Sequence, residues 1–236
     1  MNSPEYRYIS PDYLERNPTW HIEDSPWKAC LVTEVLQSQG LTPESICEVG
    51  TGAGGILAEL RRTYPRAELF GYDIAPDAAG FWKEHENASI HFRLGDFFEL
   101  NERTYDVVLT FDVIEHVADL FAFLSMLRGA ADYHVFHIPL DLSALSVLSE
   151  RSLLEKREKV GHVHYFTKNL ALSLLRECDY EVIEWMYSGA AFNAPRRTLR
   201  KRLLAVPRRL FYALNKDWGV RALGGETLIV LARGRR

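Results

Sequence analysis

The chain has 236 residues, 47% hydrophobic and 25% charged, which is the balance of an ordinary globular protein and excludes a disordered one. The length fits one α/β domain with additions, or at most two small domains. The formal net charge of −4 hides an asymmetry: residues 195 to 236 hold 12 of the 28 Lys and Arg but 2 of the 32 acids, leaving 16 basic and 30 acidic residues elsewhere.

Several classes fall away at once. No repeat or low-complexity tract is present, and no apolar run reaches the roughly 18 residues of a membrane span. The start, "MNSPEYRYIS", lacks a basic stretch followed by an apolar one, so no signal peptide is expected. Cys30, Cys47 and Cys178 are odd in number and far apart, neither a disulfide framework nor a zinc pattern. They read as free thiols of a cytoplasmic protein.

In chain order, residues 1 to 25 are polar, aromatic and broken by Pro4, Pro11 and Pro18, an irregular arm. "SPWKACLVTEVLQSQGL" reads as a helix, with Ser25 as N-cap, Pro26 at the first helical position and Gly40 ending it. "SICEV" is a first strand and "GILAELRRTY" the helix after it. "AELFGYD", "SIHFRLGD", "YDVVLTF" and "DYHVFHIP" are further strands, separated by helices over "PDAAGFWKEH" and "VADLFAFLSMLRGA". Residues 139 to 167 break the rhythm. A helix over "TKNLALSLLREC", a strand over "YEVIEWMYS", a basic segment and a final strand over "ETLIVLARG" complete the chain. Strands alternating with helices of about ten residues predict a parallel sheet covered on both faces.

The turn after the first strand, "ICEVGTGAGG", carries Gly50, Gly52 and Gly55 at dinucleotide-loop spacing. Glu48 points elsewhere. A carboxylate beside the loop disfavours a doubly negative pyrophosphate and favours a ligand with ammonium and sulfonium charge. Asp73 ends the second strand, where an acid can accept both hydroxyls of a ribose. Asp96 in "GDFF" ends the third and suits an adenine amine. "TFDVIEHV" places Asp112, Glu115 and His116 beyond the fourth strand, above the same crevice.

With "EVGTGAGG", "GYDIAP", "RLGDFF", "YDVVLTFDVIEHV" and "HIP" in this order over residues 45 to 140, the chain resembles the class I S-adenosylmethionine-dependent methyltransferases. The "DVIEHV" piece looks most like the small-molecule branch that includes the ubiquinone-biosynthesis O-methyltransferases. The resemblance implies a Rossmann-like, doubly wound α/β fold: a seven-stranded sheet, mostly parallel, whose last strand runs antiparallel, with helices on both faces. It implies one domain, residues 1 to 236. An N-terminal arm and helix (1 to 40) would act as a lid and residues 44 to 140 as the cofactor core. Residues 141 to 167 and 190 to 220 would be substrate-side or surface insertions. It also implies S-adenosylmethionine as methyl donor and S-adenosylhomocysteine as product. Glu48, Gly50, Thr51, Gly52 and Gly54 would surround the amino-acid part of the cofactor. Asp73 would bind ribose and Ile74 pack on the adenine, with Asp96 and Phe97 holding it. Phe111 and Asp112 would meet the methionine end.

Three histidines are candidates for a general base toward a small-molecule acceptor, in the order His116, His164, His137. Each is open to a packing reading as well. His164 with Tyr165 resembles a histidine–aromatic pair often found before this helix in the family. No converging ligand set is evident for a metal, although Glu115 and His116 keep a divalent ion open. The segment "APRRTLRKRLLAVPRRLFYALNKDW" sets Leu199, Leu203, Leu204, Val206, Leu210, Phe211 and Leu214 at helical spacing with a break at Pro207. It reads either as helices with a solvated basic face or as a peripheral contact of residues 195 to 216 with an anionic membrane. A nucleic-acid partner is not expected, because the chain is acidic overall with a sequence pI ≈ 6.1. Two rival readings remain. An NAD-dependent oxidoreductase would share the glycine spacing and Asp73, but it would not explain Glu48 or the "GDFF" strand end. A non-catalytic cofactor-binding protein could dock through the basic helices.

Overall fold

The structure is a computed structural model that describes residues 8, 14, 15, 17 to 193 and 205 to 235. Most of the N-terminal arm expected to form a lid, and the basic residues 194 to 204, lie outside the described residues.

Seven strands form where the sequence places them: β1 (Ser45–Val49), β2 (Glu68–Asp73), β3 (Ile90–Leu94), β4 (Tyr105–Phe111), β5 (Ala131–Pro139), β6 (Tyr180–Tyr187) and β7 (Thr227–Gly234). They make one sheet in the order β3-β2-β1-β4-β5-β7-β6. β1 to β5 pair in parallel, while β7 runs antiparallel to both β5 and β6. The expected mostly parallel sheet with an antiparallel last strand is therefore present. The chain order does not reveal that this last strand inserts between β5 and β6. Strand order reverses between β1 and β4, which opens a crevice beyond their C-terminal ends.

Helices α1 (Ser25–Ser38) and α2 (Gly55–Thr63) cover one face. Val32, Leu36, Leu57 and Leu60 pack there on Ile46, Leu69, Leu109 and Leu231. The short α3 (Phe97–Leu100), α4 (Leu120–Leu127) and, later in the chain, the helix Lys168–Glu177 cover the other. Leu124, Leu127, Leu172 and Leu175 meet Cys47, Val108, Phe136 and Val230 on that face. Full burial of each such side chain contributes roughly 1.5–3 kcal/mol.

Local chemistry moves several boundaries. Ser25 is the first residue of α1 rather than its cap, Asp24 preceding it, and Gly40 ends the turn at φ +65°. The "PDAAGFWKEH" helix is a tight 3-10 segment, Ala78–Glu84. α4 begins only at Leu120, because the Asp119 side chain accepts from the Ala122 N–H. The long 139 to 167 connection holds α5 (Ala144–Ser149), started by a reciprocal Ser143–Ser146 capping box, and α6 (Arg151–Lys159). α7 is the Lys168–Glu177 helix, followed by α8 (Ala190–Asn193), α9 (Ala205–Leu214) and α10 (Lys216–Leu223). Pro207 lies in the first turn of α9 and does not interrupt it, as proline lacks only a donor that turn leaves unused. Among the described residues no helix is long and apolar enough to cross a membrane.

Candidate active site

The glycine turn after β1 folds against the end of β2. Gly50 has φ +77°, and a Cβ there would fall 2.4 Å from Val113 Cγ2, so only glycine fits. The Gly50 and Thr51 N–H groups both donate to the Tyr72 carbonyl, at 2.8 and 3.0 Å. Asp73 accepts from the Gly52 N–H at 2.7 Å and the Ala75 N–H at 2.9 Å, which ties the loop to the strand end. Burial holds the Asp73 carboxyl above its ordinary range in spite of those two bonds. Glu48 is buried, with Thr51 Oγ1 donating to its Oε2 at 2.9 Å, and desolvation pushes it up to about 8.

These groups floor a cavity of about 790 Å³, within the size range of small-molecule sites. Of the residues the sequence assigns to a cofactor, Glu48, Gly50, Thr51, Gly52, Asp73, Ile74, Asp96, Phe97, Phe111 and Asp112 all line it. Gly54 does not. Its φ is +79°, and a Cβ there would meet Phe92 Cζ at 2.6 Å, while its neighbours Ala53 and Gly55 both line the cavity. Asp96 accepts from the Phe98 N–H at 2.7 Å and so also caps α3.

Asp112 shapes the far wall. It sits at φ +55°, a left-handed conformation that aspartate tolerates better than most residues. Lys28 Nζ lies 2.7 Å from its Oδ2 and His137 Nδ1 2.7 Å from its Oδ1. Burial works against its charge, yet His137 and Lys28 together hold its carboxyl well below the usual range. Burial likewise opposes the Lys28 ammonium, but Asp112 beside it leaves its pKa raised.

The three candidate histidines part company. His116 lines the cavity. His137 does not: it is 2% exposed, its Nε2 meets Thr227 Oγ1 at 2.7 Å and its ring stacks on Phe111. It anchors Asp112 from behind the cavity wall. His164 Nε2 bonds the carbonyl of Val117, a cavity-lining residue, at 2.8 Å, and Tyr165 Oη donates to the Leu153 carbonyl at 3.1 Å; neither His164 nor Tyr165 itself lines the cavity. His162, two residues before His164, does line the cavity. Sequence reasoning also passed over Tyr8 and gave Lys28 no place in the site. Both reach the crevice from the N-terminal side, with Trp20, His21, Asp24 and Ser25. The density of aromatic and charged residues in "NPTWHIEDSPWKA" was the available signal.

Residues 47–132 match the family model described as a methyltransferase domain, a little over a third of the chain. No curated protein matches the chain significantly in sequence. Its fold is shared with solved methyltransferases at low identity. The plantazolicin methyltransferase BpumL, solved with a monoazolic desmethylplantazolicin analogue and S-adenosylhomocysteine, superposes with a TM-score of 0.65 at 19% identity, over 98% of this chain and 94% of that one. The magnesium protoporphyrin IX methyltransferase of Synechocystis PCC 6803, solved with S-adenosylmethionine, gives 0.63 at 13% identity over 100% and 99%. Human N-acetylserotonin methyltransferase with S-adenosylmethionine gives 0.63 at 16% identity, over 98% of this chain but 59% of that one.

Proposed function

We propose that the protein is an S-adenosylmethionine-dependent methyltransferase acting on a small or lipid-like acceptor at oxygen, nitrogen or carbon. The observation that carries this reading is the pair of buried carboxylates at the glycine turn. Glu48 and Asp73 line the cavity at the strand-order reversal, where Glu48, held neutral in the empty crevice, regains its charge beside an ammonium group but offers a pyrophosphate no favourable partner. The matched segment and the ligands of the solved neighbours support the same cofactor. The residues fit it: Asp73 has acceptor capacity left for ribose hydroxyls, Glu48 suits the amino group and Lys28 the carboxylate.

Bound there, the cofactor supplies a methyl group on an electrophilic sulfonium, which an acceptor atom displaces in line. The chain's own contribution is alignment and exclusion of water. Tyr8, Trp20 and His21 wall the crevice from the N-terminal side, which supports a covering role for the arm. When the acceptor is a hydroxyl, its proton has to leave, and among the three candidate histidines His116 alone stands on the cavity wall. The test is incubation with methyl-labelled S-adenosylmethionine and separate pools of phenols, carboxylates and amines. Label transfer to a pool, abolished by Asp73→Ala, is expected. Failure of every pool together with failure to bind the donor would overturn the reading.

A further inference from the structure

Asp112 is held at three points, and two of them belong to His137. Its backbone N–H donates to the His137 carbonyl at 3.1 Å, its Oδ1 meets His137 Nδ1 at 2.7 Å, and its Oδ2 meets Lys28 Nζ at 2.7 Å. A non-glycine residue in the left-handed region persists where its surroundings over-determine it. The next residue, Val113, is the one that packs against Gly50, so the conformation of Asp112 is tied to the glycine turn. His137 is fixed in its turn. Its ring stacks on Phe111, with centroids 5.2 Å apart and planes 5° apart, and meets Trp27 edge-on at 5.9 Å. Its Nε2 lies 2.7 Å from Thr227 Oγ1, and Thr227 Oγ1 lies 2.5 Å from Ser188 Oγ, which accepts from the Ala190 N–H at 3.2 Å.

The protons of this row have one consistent direction. Asp112, kept ionised by its two partners, can only accept, so His137 Nδ1 donates to it. Nε2 is then left to accept from the Thr227 hydroxyl, and Thr227 accepts from Ser188. Every donor from Ala190 onward points toward Asp112, an arrangement in which each bond polarises the next. The row joins the ends of β4, β5 and β7 and the residues after β6, and only its last member, Asp112, lines the crevice. There Asp112 keeps acceptor sites beyond the two in use, and Lys28, also on the crevice wall, keeps N–H groups beyond the one it gives to Asp112.

We propose that His137, backed by Thr227, is a positioning residue for the methyl donor: it fixes Asp112 so that the Lys28–Asp112 pair meets the two opposite charges of a zwitterionic α-amino-acid end. The inference rests on the S-adenosylmethionine reading and adds to it a residue that never touches the ligand. An ammonium finds acceptors on Asp112 and a carboxylate finds donors on Lys28, whereas a ligand of one sign meets a repelling partner in the same pair. Both charges are oriented before the ligand arrives, so binding costs little reorganisation. Histidine suits the place behind the wall. It is flat enough to lie against Phe111, and its two nitrogens bridge a carboxylate and a hydroxyl on different strands.

The experiment is calorimetric titration of the full chain with S-adenosylhomocysteine and, separately, with 5′-methylthioadenosine, which shares the adenosine and thioether but lacks the amino-acid end. The parent is expected to bind the first about tenfold or more tightly than the second. His137→Phe keeps a stacked ring and removes both nitrogens. It should weaken S-adenosylhomocysteine about tenfold or more, the effect of losing a hydrogen bond to a charged group, and leave methylthioadenosine within about twofold. His137→Asn, which returns an amide N–H near the place of Nδ1, should recover most of that loss. Thr227→Val, close in shape, is the second variant should His137→Phe fail to fold, and circular dichroism checks all three. Unchanged affinity for S-adenosylhomocysteine in the folded variants, or equal weakening of both ligands, overturns the proposal. A parent protein that binds both ligands equally well also overturns it, while leaving the adenosine site in place. Binding of neither ligand removes the methyltransferase reading and this inference with it.

Discussion

Replacing Glu48 by glutamine should abolish a specific slope in the pH dependence of stability. Burial carries this carboxyl from its ordinary 4.5 to about 8 in the folded chain. The folded value lies above the unfolded one, so the native state binds the extra proton. Its contribution is therefore complete below about pH 4.5 and is lost as pH rises through about 8. Over that window the parent protein should lose about 1.4 kcal/mol per pH unit from this residue, on the order of 5 kcal/mol in all. For a chain of this size that corresponds to a melting temperature lower by on the order of 10 °C at pH 8 than at pH 5, relative to Glu48→Gln. The assay is thermal unfolding by circular dichroism from pH 5 to 8.5 on both proteins without ligand. The difference between the two curves isolates Glu48 from other buried acids such as Glu115 and Glu226. A cofactor ammonium beside Glu48 should restore its charge, so binding near pH 7 should release close to one proton in the parent and fewer in the variant. Parallel melting curves would refute the argument that this carboxyl is held neutral in the empty crevice.

Asp73→Ala should weaken S-adenosylhomocysteine binding by more than about tenfold and cost roughly 1–3 kcal/mol of stability, since two backbone N–H groups lose their acceptor. Unchanged affinity by calorimetry would remove the ribose assignment. His116→Ala should lower turnover while leaving S-adenosylhomocysteine affinity within about twofold, and full activity would exclude His116 from the reaction. Leu210, Phe211, Leu214 and Trp218 are exposed on α9 and α10, and the proposed contact of the basic segment with an anionic membrane would use that face. Changing Arg196, Arg197, Arg200, Arg202 and Arg209 to glutamine should then reduce co-sedimentation with phosphatidylserine vesicles, and a parent protein that ignores such vesicles would end that idea.

The sheet and the cofactor side of the crevice were legible because their signals are local. Strand length, the glycines of the turn after β1 and the acids closing β2 and following β3 lie within a few residues of one another. The other wall is built from contacts across the chain. His162 meets Glu115 across 47 positions, and Tyr8 meets His116 across 108. No periodicity connects such pairs. His137 was open to two readings for a physical reason: a histidine closing a strand can face the crevice or turn under it, and its contacts with Asp112 and Thr227 lie beneath the crevice wall. Gly54 shows that a glycine required by packing and one required by a ligand look alike in sequence. Lys28 was hidden within a helix whose start was read correctly to one residue. Its role depends on Asp112 taking a left-handed conformation 84 positions later.

Calorimetric titration of the purified chain with S-adenosylhomocysteine, run beside NAD, tests the central claim most directly. Glu48 and Asp73 on the floor of the glycine turn predict micromolar binding of the first and none of the second. Binding of NAD without S-adenosylhomocysteine would mean that the turn cradles a pyrophosphate in spite of both carboxylates, and would contradict the account.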